Sequence, residues 1–309
     1  MKPLRIIFMG SPDFAVPSLE ALHKSSHNIL TVVSGSDKRR RRRGDPEPTA
    51  VKKRAQELGL PTLDADDMKS EKLADDLRTL KPDLFVVVAF KILPKRLLEI
   101  PAIGSINLHA SLLPAYRGAA PIHWAVINGE KETGCTVFFL DQQVDTGEIL
   151  KQSRVVISEN DTTGDVYNKL MQNGADLIVQ SANLIAEGEF ETYAQDHSKA
   201  TPAPKLFKEN TRIDFAKPAQ EIHNLIRGLN PFPVAWCTYK GKKMNVYQSA
   251  IDQEAGLKQG ELKFEDEKLL AGTGDGSIEL KEVQLPGGKR ISGAEFGRGF
   301  ETNIILNES

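Results

Sequence analysis

The run DLFVVVAF, residues 83–90, constrains the fold of this chain more than any other stretch. A strand with one wet face alternates apolar and polar residues, but Leu84 to Phe90 contains no polar residue at all. Such a run belongs in the middle of a sheet covered on both faces. The segments around it fit that setting. LRIIFM (4–9) is a short apolar run closed by a turn and reads as a buried strand, and NILTVVS (28–34) is a second, β-branched one. Between them VPSLEALHKS (16–25) spaces Val16, Leu19 and Leu22 as a helix does. TAVKKRAQELGL (49–60) reads as a helix stopped by Gly59, and SEKLADDLRTL (70–80) as one ended before Pro82. GSINLHA, CTVFFLD and EILKQSRVVI continue the strands, and residues 163–188 form a long amphipathic helix. The alternation predicts an α/β domain with a doubly wound, mostly parallel, Rossmann-like sheet.

At 309 residues the chain is too long for one ordinary domain. Its character changes near residue 194, where AQDHSKATPAPKLFKEN is polar and carries Pro202 and Pro204. Residues 1–193 are predicted to form the first domain, 194–207 a linker and 208–309 a second domain. After one helix, PAQEIHNLIRGL, short strands follow at close spacing, broken by glycine turns. That pattern predicts a small, OB-like β-barrel.

Several chemistries lack their motifs. The turn after the first strand, MGSPDF, has one glycine and a proline where a dinucleotide fingerprint needs three glycines. There is no phosphate-binding G-x-x-x-x-G-K-[ST] loop, no C-x-x-C and no H-E-x-x-H, so no ATP site and no metal site are predicted. No apolar run approaches the roughly 20 residues that span a bilayer, so no membrane association is expected. Cys135 and Cys237 read as reduced thiols of a cytoplasmic protein. Net charge is only −2, yet between Lys38 and Arg54 nine residues are basic and two acidic. Most of that excess is one uninterrupted run, Arg39, Arg40, Arg41, Arg42 and Arg43.

The stretch that resists a purely structural explanation is GSINLHASLLPAYRGAAPIHWAVINGE (104–130). In SINLHA, Ile106 and Leu108 alternate with Ser105, Asn107 and His109. One face of this strand is therefore apolar, and the other presents Asn107 beside His109 near the strand's C-terminal end. Ligands of open α/β sheets bind at that end. A satisfied polar patch would look the same if the pair stood alone. However, LDQQVDTGEIL (140–150) places Asp145 in a turn between two strands. A carboxylate near His109 would orient it and stabilise its charged form. Asn, His and Asp in one cleft can polarise a carbonyl, hold an oxyanion and move a proton. No covalent nucleophile is evident, which points to direct attack by one substrate on another.

INLHASLLPAYRG followed by DTG resembles the formyltransferases that use 10-formyltetrahydrofolate. The likeness extends to RIIFMGSPDFAVPSLEAL at the start, RGAAPIHWAVINGEKETG in the middle and TRIDFAKPAQEIHNLIRGLNPFPVAW in the second domain. Within that family it is nearest to the branch that formylates methionine carried on initiator tRNA. The resemblance implies that Asn107, His109 and Asp145 are the catalytic residues. It also implies that Ser111, Leu112, Leu113 and Pro114 bind the folate. Phe90, in a segment AFKILP shorter than the family's usual one, is expected to line or cover that pocket. The loop of Arg39 to Arg43 is expected to meet the tRNA acceptor stem, with the second domain also touching tRNA. No metal and no obligatory protein partner are implied. Two alternatives remain open at this level. One is a folate-dependent formyltransferase acting on an amino-sugar nucleotide or another small amine. The other is a non-catalytic protein that binds RNA or folate.

Overall fold

The structure, a computed structural model, describes residues 2–39, 44–188, 190–252, 256–299 and 304–307. They form two compact units. The first comprises Met1–Gly118, Glu132–Val155 and Tyr167–Pro202, and the second comprises Ala119–Lys131, Val156–Val166 and Ala203–Ser309. The polar stretch 194–207 is thus divided, with its residues up to Pro202 in the first unit.

In chain order the first half contains β1 (Arg5–Gly10), α1 (Val16–Lys24), β2 (Asn28–Ser34), α2 (Ala50–Glu57), β3 (Thr62–Asp64) and α3 (Glu71–Thr79). There follow β4 (Leu84–Val88), α4 (Lys95–Leu98), β5 (Gly104–His109), β6 (Arg117–Gly118), α5 (Pro121–Ile127), β7 (Glu132–Phe139), β8 (Ile149–Val156) and α6 (Thr163–Glu187). Local chemistry sets the helix starts. The Thr49 side chain accepts from the Lys52 N–H at 3.1 Å, and Ser70 accepts from Leu73 at 3.3 Å, each filling a donor that the first helical turn leaves unpaired.

The first unit's sheet runs β3-β2-β1-β4-β5-β7-β8. Strands β1 to β5 are parallel and β7 is antiparallel to β5. The apolar run of the sequence is β4, fourth of seven, with every residue buried. On one face Phe85 and Val87 pack in a cluster with Ala74 and Leu77 of α3. On the other, Leu84, Val86 and Val88 are fully buried. Burying a side chain such as Phe85 stabilises the fold by about 1.5–3 kcal/mol. Strand order reverses between β1 and β4, so the C-terminal ends of these strands open a crevice.

After β9 (Pro202–Ala203), the second unit continues with α7 (Ala219–Gly228), β10 (Ala235–Tyr239), β11 (Lys242–Asp252), β12 (Glu261–Glu265), β13 (Lys268–Gly272), β14 (Ser277–Gln284), β15 (Ile291–Ser292), α8 (Gly293–Gly297) and β16 (Ile304–Ile305). Its antiparallel sheet runs β10-β11-β14-β13-β12-β16 and wraps a core that includes Ile222 and Ile226 of α7 with Met244, Val246, Leu269 and Leu280. The two ends of this path meet through Asn307. Its N–H donates to the Thr238 carbonyl at 2.8 Å and its side-chain oxygen accepts from the Thr238 N–H at 2.9 Å. The sheet thereby curls into a small barrel, as the sequence predicts. Among the described residues no helix is long and apolar enough to cross a membrane.

Candidate active site

β5 carries the polar face that its alternation predicts. Asn107 is paired in register between Val87 of β4 and Phe138 of β7. It lines a cavity of about 110 Å³ with Val87, Phe90, Leu93, Leu98, Leu140 and Asp145. Two residues on, His109 is 6% exposed. Its Nε2 lies 2.9 Å from the Tyr116 carbonyl oxygen, which can only accept, so the proton belongs on Nε2. Nδ1 then faces the Asp145 carboxylate at 3.8 Å.

Asp145 reaches this position from a tight loop. Its backbone is left-handed, with φ of 57°, a conformation Asp tolerates better than most residues. Its Oδ2 accepts the Gly118 N–H at 2.9 Å. Asp141 organises the turn before it, accepting from the Gln143 N–H and the Thr146 hydroxyl, both at 2.8 Å. Gly147 completes the turn under the Phe139 carbonyl, where any Cβ would collide.

The segment Ser111–Pro114 sits differently from Phe90. Ser111 is fully buried and its hydroxyl donates to the Ala115 carbonyl at 2.6 Å. Leu113 is buried, with its N–H on the Thr136 hydroxyl at 3.1 Å and its carbonyl on the Gln152 amide at 2.9 Å. This turn braces the strand end below His109, whereas Phe90 lines the cavity itself. Motif reading misses the backbone partners, the Tyr116 carbonyl and the Gly118 N–H, because a backbone group leaves no mark in a sequence. It also misses Gln195, whose surroundings read as linker.

A second cavity, about 450 Å³, adjoins the first across Phe90 and Lys91 and is bordered by Ser11, Gly35, Ser36, Lys38, Glu47, Thr49 and Ala89. It occupies the crevice at the strand-order reversal. Lys91 is fixed by bonds to the Ala65 and Asp66 carbonyls at 2.8 and 2.7 Å. Lys38 and Glu47, which flank the arginine run, border this cavity. The neck of that loop is a two-way backbone pairing of Lys38 with Glu47, at 3.0 and 3.1 Å. Lys52, in α2, bridges Asp37 at 2.6 Å and Asp64 at 2.8 Å, and the Ser36 hydroxyl donates to Asp66. Arg39 is exposed, and Arg40 to Arg43 lie outside the described residues.

Residues 4–182 match the formyl transferase family, and residues 205–301 match its C-terminal domain. A methionyl-tRNA formyltransferase of Chlorobium limicola is 46% identical over 306 residues, covering 96% of this chain and 96% of that protein. The chain belongs to the methionyl-tRNA formyltransferase family. One of Porphyromonas gingivalis is 40% identical over 309 residues, again covering 96% of each. Among solved structures, the fold is similar to an N-formyltransferase from Helicobacter canadensis in complex with folinic acid and dTDP-3-aminofucose, at TM-score 0.70 and 22% identity. That match covers 90% of this chain and 98% of the other. HypX from Aquifex aeolicus in complex with tetrahydrofolic acid matches at TM-score 0.68 and 16% identity over 98% of this chain. This chain spans about half the length of HypX, 49%.

Proposed function

We propose that this protein transfers the formyl group of 10-formyltetrahydrofolate to the α-amino group of methionine esterified to initiator tRNA. The observation that carries this reading is the convergence of Asn107, the His109 Nδ1 and the Asp145 carboxylate at one strand end beside a cavity. The acceptor amine attacks the formyl carbon, and negative charge develops on the formyl oxygen. The Asn107 amide and a protonated His109 are placed to stabilise that oxygen. The Asp145 carboxylate takes the proton that the attacking nitrogen loses. The bond from the formyl carbon to the folate nitrogen then breaks, and that nitrogen takes up the proton that Asp145 holds. The folate supplies the activated one-carbon unit. Its ring system is assigned to the cavity lined by Asn107 and Phe90, with Ser111, Leu112, Leu113 and Pro114 shaping the wall behind.

The acceptor end of the tRNA is assigned to the second cavity, beside the arginine loop. Guanidinium groups of Arg39 to Arg43 pair with backbone phosphates. The C-terminal part of the chain, from residue 208, offers a further RNA-contacting surface. There Lys208, Arg212 and Lys243 stand 5.4, 5.6 and 5.6 Å from the Trp236 ring, a cation-rich aromatic suited to a nucleic acid. The reaction takes place in the cytoplasm and needs no protein partner, so purified chain suffices for the test. Formyl transfer from 10-formyltetrahydrofolate is measured with initiator methionyl-tRNA, elongator methionyl-tRNA and an amino-sugar nucleotide. Formylation of the initiator species alone is expected. Transfer to the sugar amine with tRNA untouched would replace this substrate assignment, and no transfer to any acceptor would favour a non-catalytic binding protein.

A further inference from the structure

Gln195 lies beyond α6 in the polar stretch that reads as linker, yet it is only 6% exposed. All four bonding positions of its amide are used. Nε2 donates to the Asp145 carbonyl at 3.1 Å and to the Gly147 carbonyl at 2.8 Å. Oε1 accepts from Arg117 Nε at 3.2 Å and Nη2 at 2.6 Å. A primary amide has two hydrogens to give and two lone pairs to fill, so this one is saturated. The neighbouring residues repeat the connection. Thr201 accepts the Tyr116 N–H on its hydroxyl and the Arg117 N–H on its carbonyl, both at 2.9 Å.

One side chain therefore joins two segments that each hold part of the reacting pair. Residues 116–118 supply the carbonyl that accepts from His109 Nε2 and the N–H that donates to Asp145 Oδ2. Residues 145–147 carry the carboxylate itself. Asp145 and Tyr116 both have left-handed backbones, φ 57° and 60°, which cost energy in residues other than glycine and persist only where the surroundings hold them. We propose that Gln195 is a positioning residue for formyl transfer, fixing the Asp145 turn against the Tyr116–Gly118 segment so that His109 and Asp145 keep their separation. This rests on the formyl-transfer reading of the site. Gln195 lines neither cavity and acts only through Asp145, Gly147 and Arg117.

The test uses Gln195→Ala and Gln195→Glu in the full chain, with wild type alongside. Ala removes all four bonds; Glu keeps an acceptor for Arg117 but has no N–H for the two carbonyls. Both variants should lower kcat by about thirtyfold or more, since small misplacements of reacting groups cost on the order of a hundredfold. KM for each substrate should stay within about threefold, as expected when a loss falls on the transition state alone. The unfolding midpoint of Gln195→Glu shows that the variant is folded. Placed on Asp145→Asn, Gln195→Ala should cost less than about threefold more, because residues acting through one group are not additive. Wild-type kcat in either variant, or a full multiplicative loss in the double variant, overturns the proposal. If wild type itself transfers nothing, the functional reading fails, and the positioning claim is decided by a crystal structure of Gln195→Ala. Asp145 leaving its left-handed conformation supports it; Asp145 unmoved beside His109 overturns it.

Discussion

The loops after β2 and after β5 leave the same end of one sheet, and their described residues are held in different ways. The segment following β5 is bonded along its length: His109 to Tyr116, Ser111 to Ala115, Leu113 to Thr136, Gly118 to Asp145. Among the described residues of the loop after β2, the Lys38–Glu47 pairing and the Lys52 bridge hold the neck, and Arg39 is exposed. The difference follows from what each has to meet. A proton transfer needs groups set to a fraction of an ångström, whereas pairing with phosphates needs charge delivered to the right place with latitude in the detail.

The largest effect should come from the densely bonded segment. His109→Ala and Asp145→Asn are expected to reduce kcat/KM by about 10³-fold or more, within reach of lost acid–base and electrostatic catalysis. Folate affinity by fluorescence titration should hold within about threefold. Collapse of folate binding would mean that this segment serves the ligand more than the chemistry. Next, Gly147→Ala forces a Cβ into the Phe139 carbonyl and displaces the Asp145 turn. Its kcat should fall about a hundredfold with tRNA affinity intact. An active Gly147→Ala would show that the turn tolerates movement and that the contrast between the loops is overdrawn.

Replacing Arg39 to Arg43 with serine should weaken tRNA binding about tenfold or more, and lower the salt slope by about 0.7–0.9 for every phosphate that is no longer neutralised. Filter binding across a salt series measures both; kcat at saturating tRNA should stay near wild type. Unchanged affinity at low salt removes the loop from RNA recognition. The smallest effect is expected at the neck. Lys52→Ala leaves Asp37 and Asp64 without their shared cation, but both carboxylates are about half exposed, 40% and 47%. Urea unfolding should register about 1–2 kcal/mol, below the cost of breaking a fully buried pair. A larger loss would show that the neck is a structural keystone and more than a mount for the arginines.

What the sequence discloses here depends on whether a signal is periodic or merely polar. β4 announces its place through unbroken apolarity, and β5 announces its two faces through strict alternation, so the sheet and the Asn107–His109 pair are both legible. Asp145 is reachable because a Thr-Gly turn marks it. Gln195 leaves no such trace. A glutamine among Ala, Asp, His, Ser and Lys has the composition of a solvated linker, and only its four partners, drawn from positions 117, 145 and 147, show that it is buried. Ser111 and Leu113 illustrate the same limit from the other side. A motif fixes their identity, but only packing shows that they face inward to Ala115 and Thr136.

The seam at Asn307 sets an order of events during synthesis. Thr238 pairs with a residue 69 positions further along, so the Thr238 end of β10 stays open until that residue has left the ribosome, while its Trp236 end can already pair with Ile213. All seven strands of the first unit's sheet have emerged long before, β8 ending at Val156. Each new chain therefore passes through an interval in which one unit has its strands complete and the other has a strand edge only partly covered, a state open to strand-to-strand association between nascent chains.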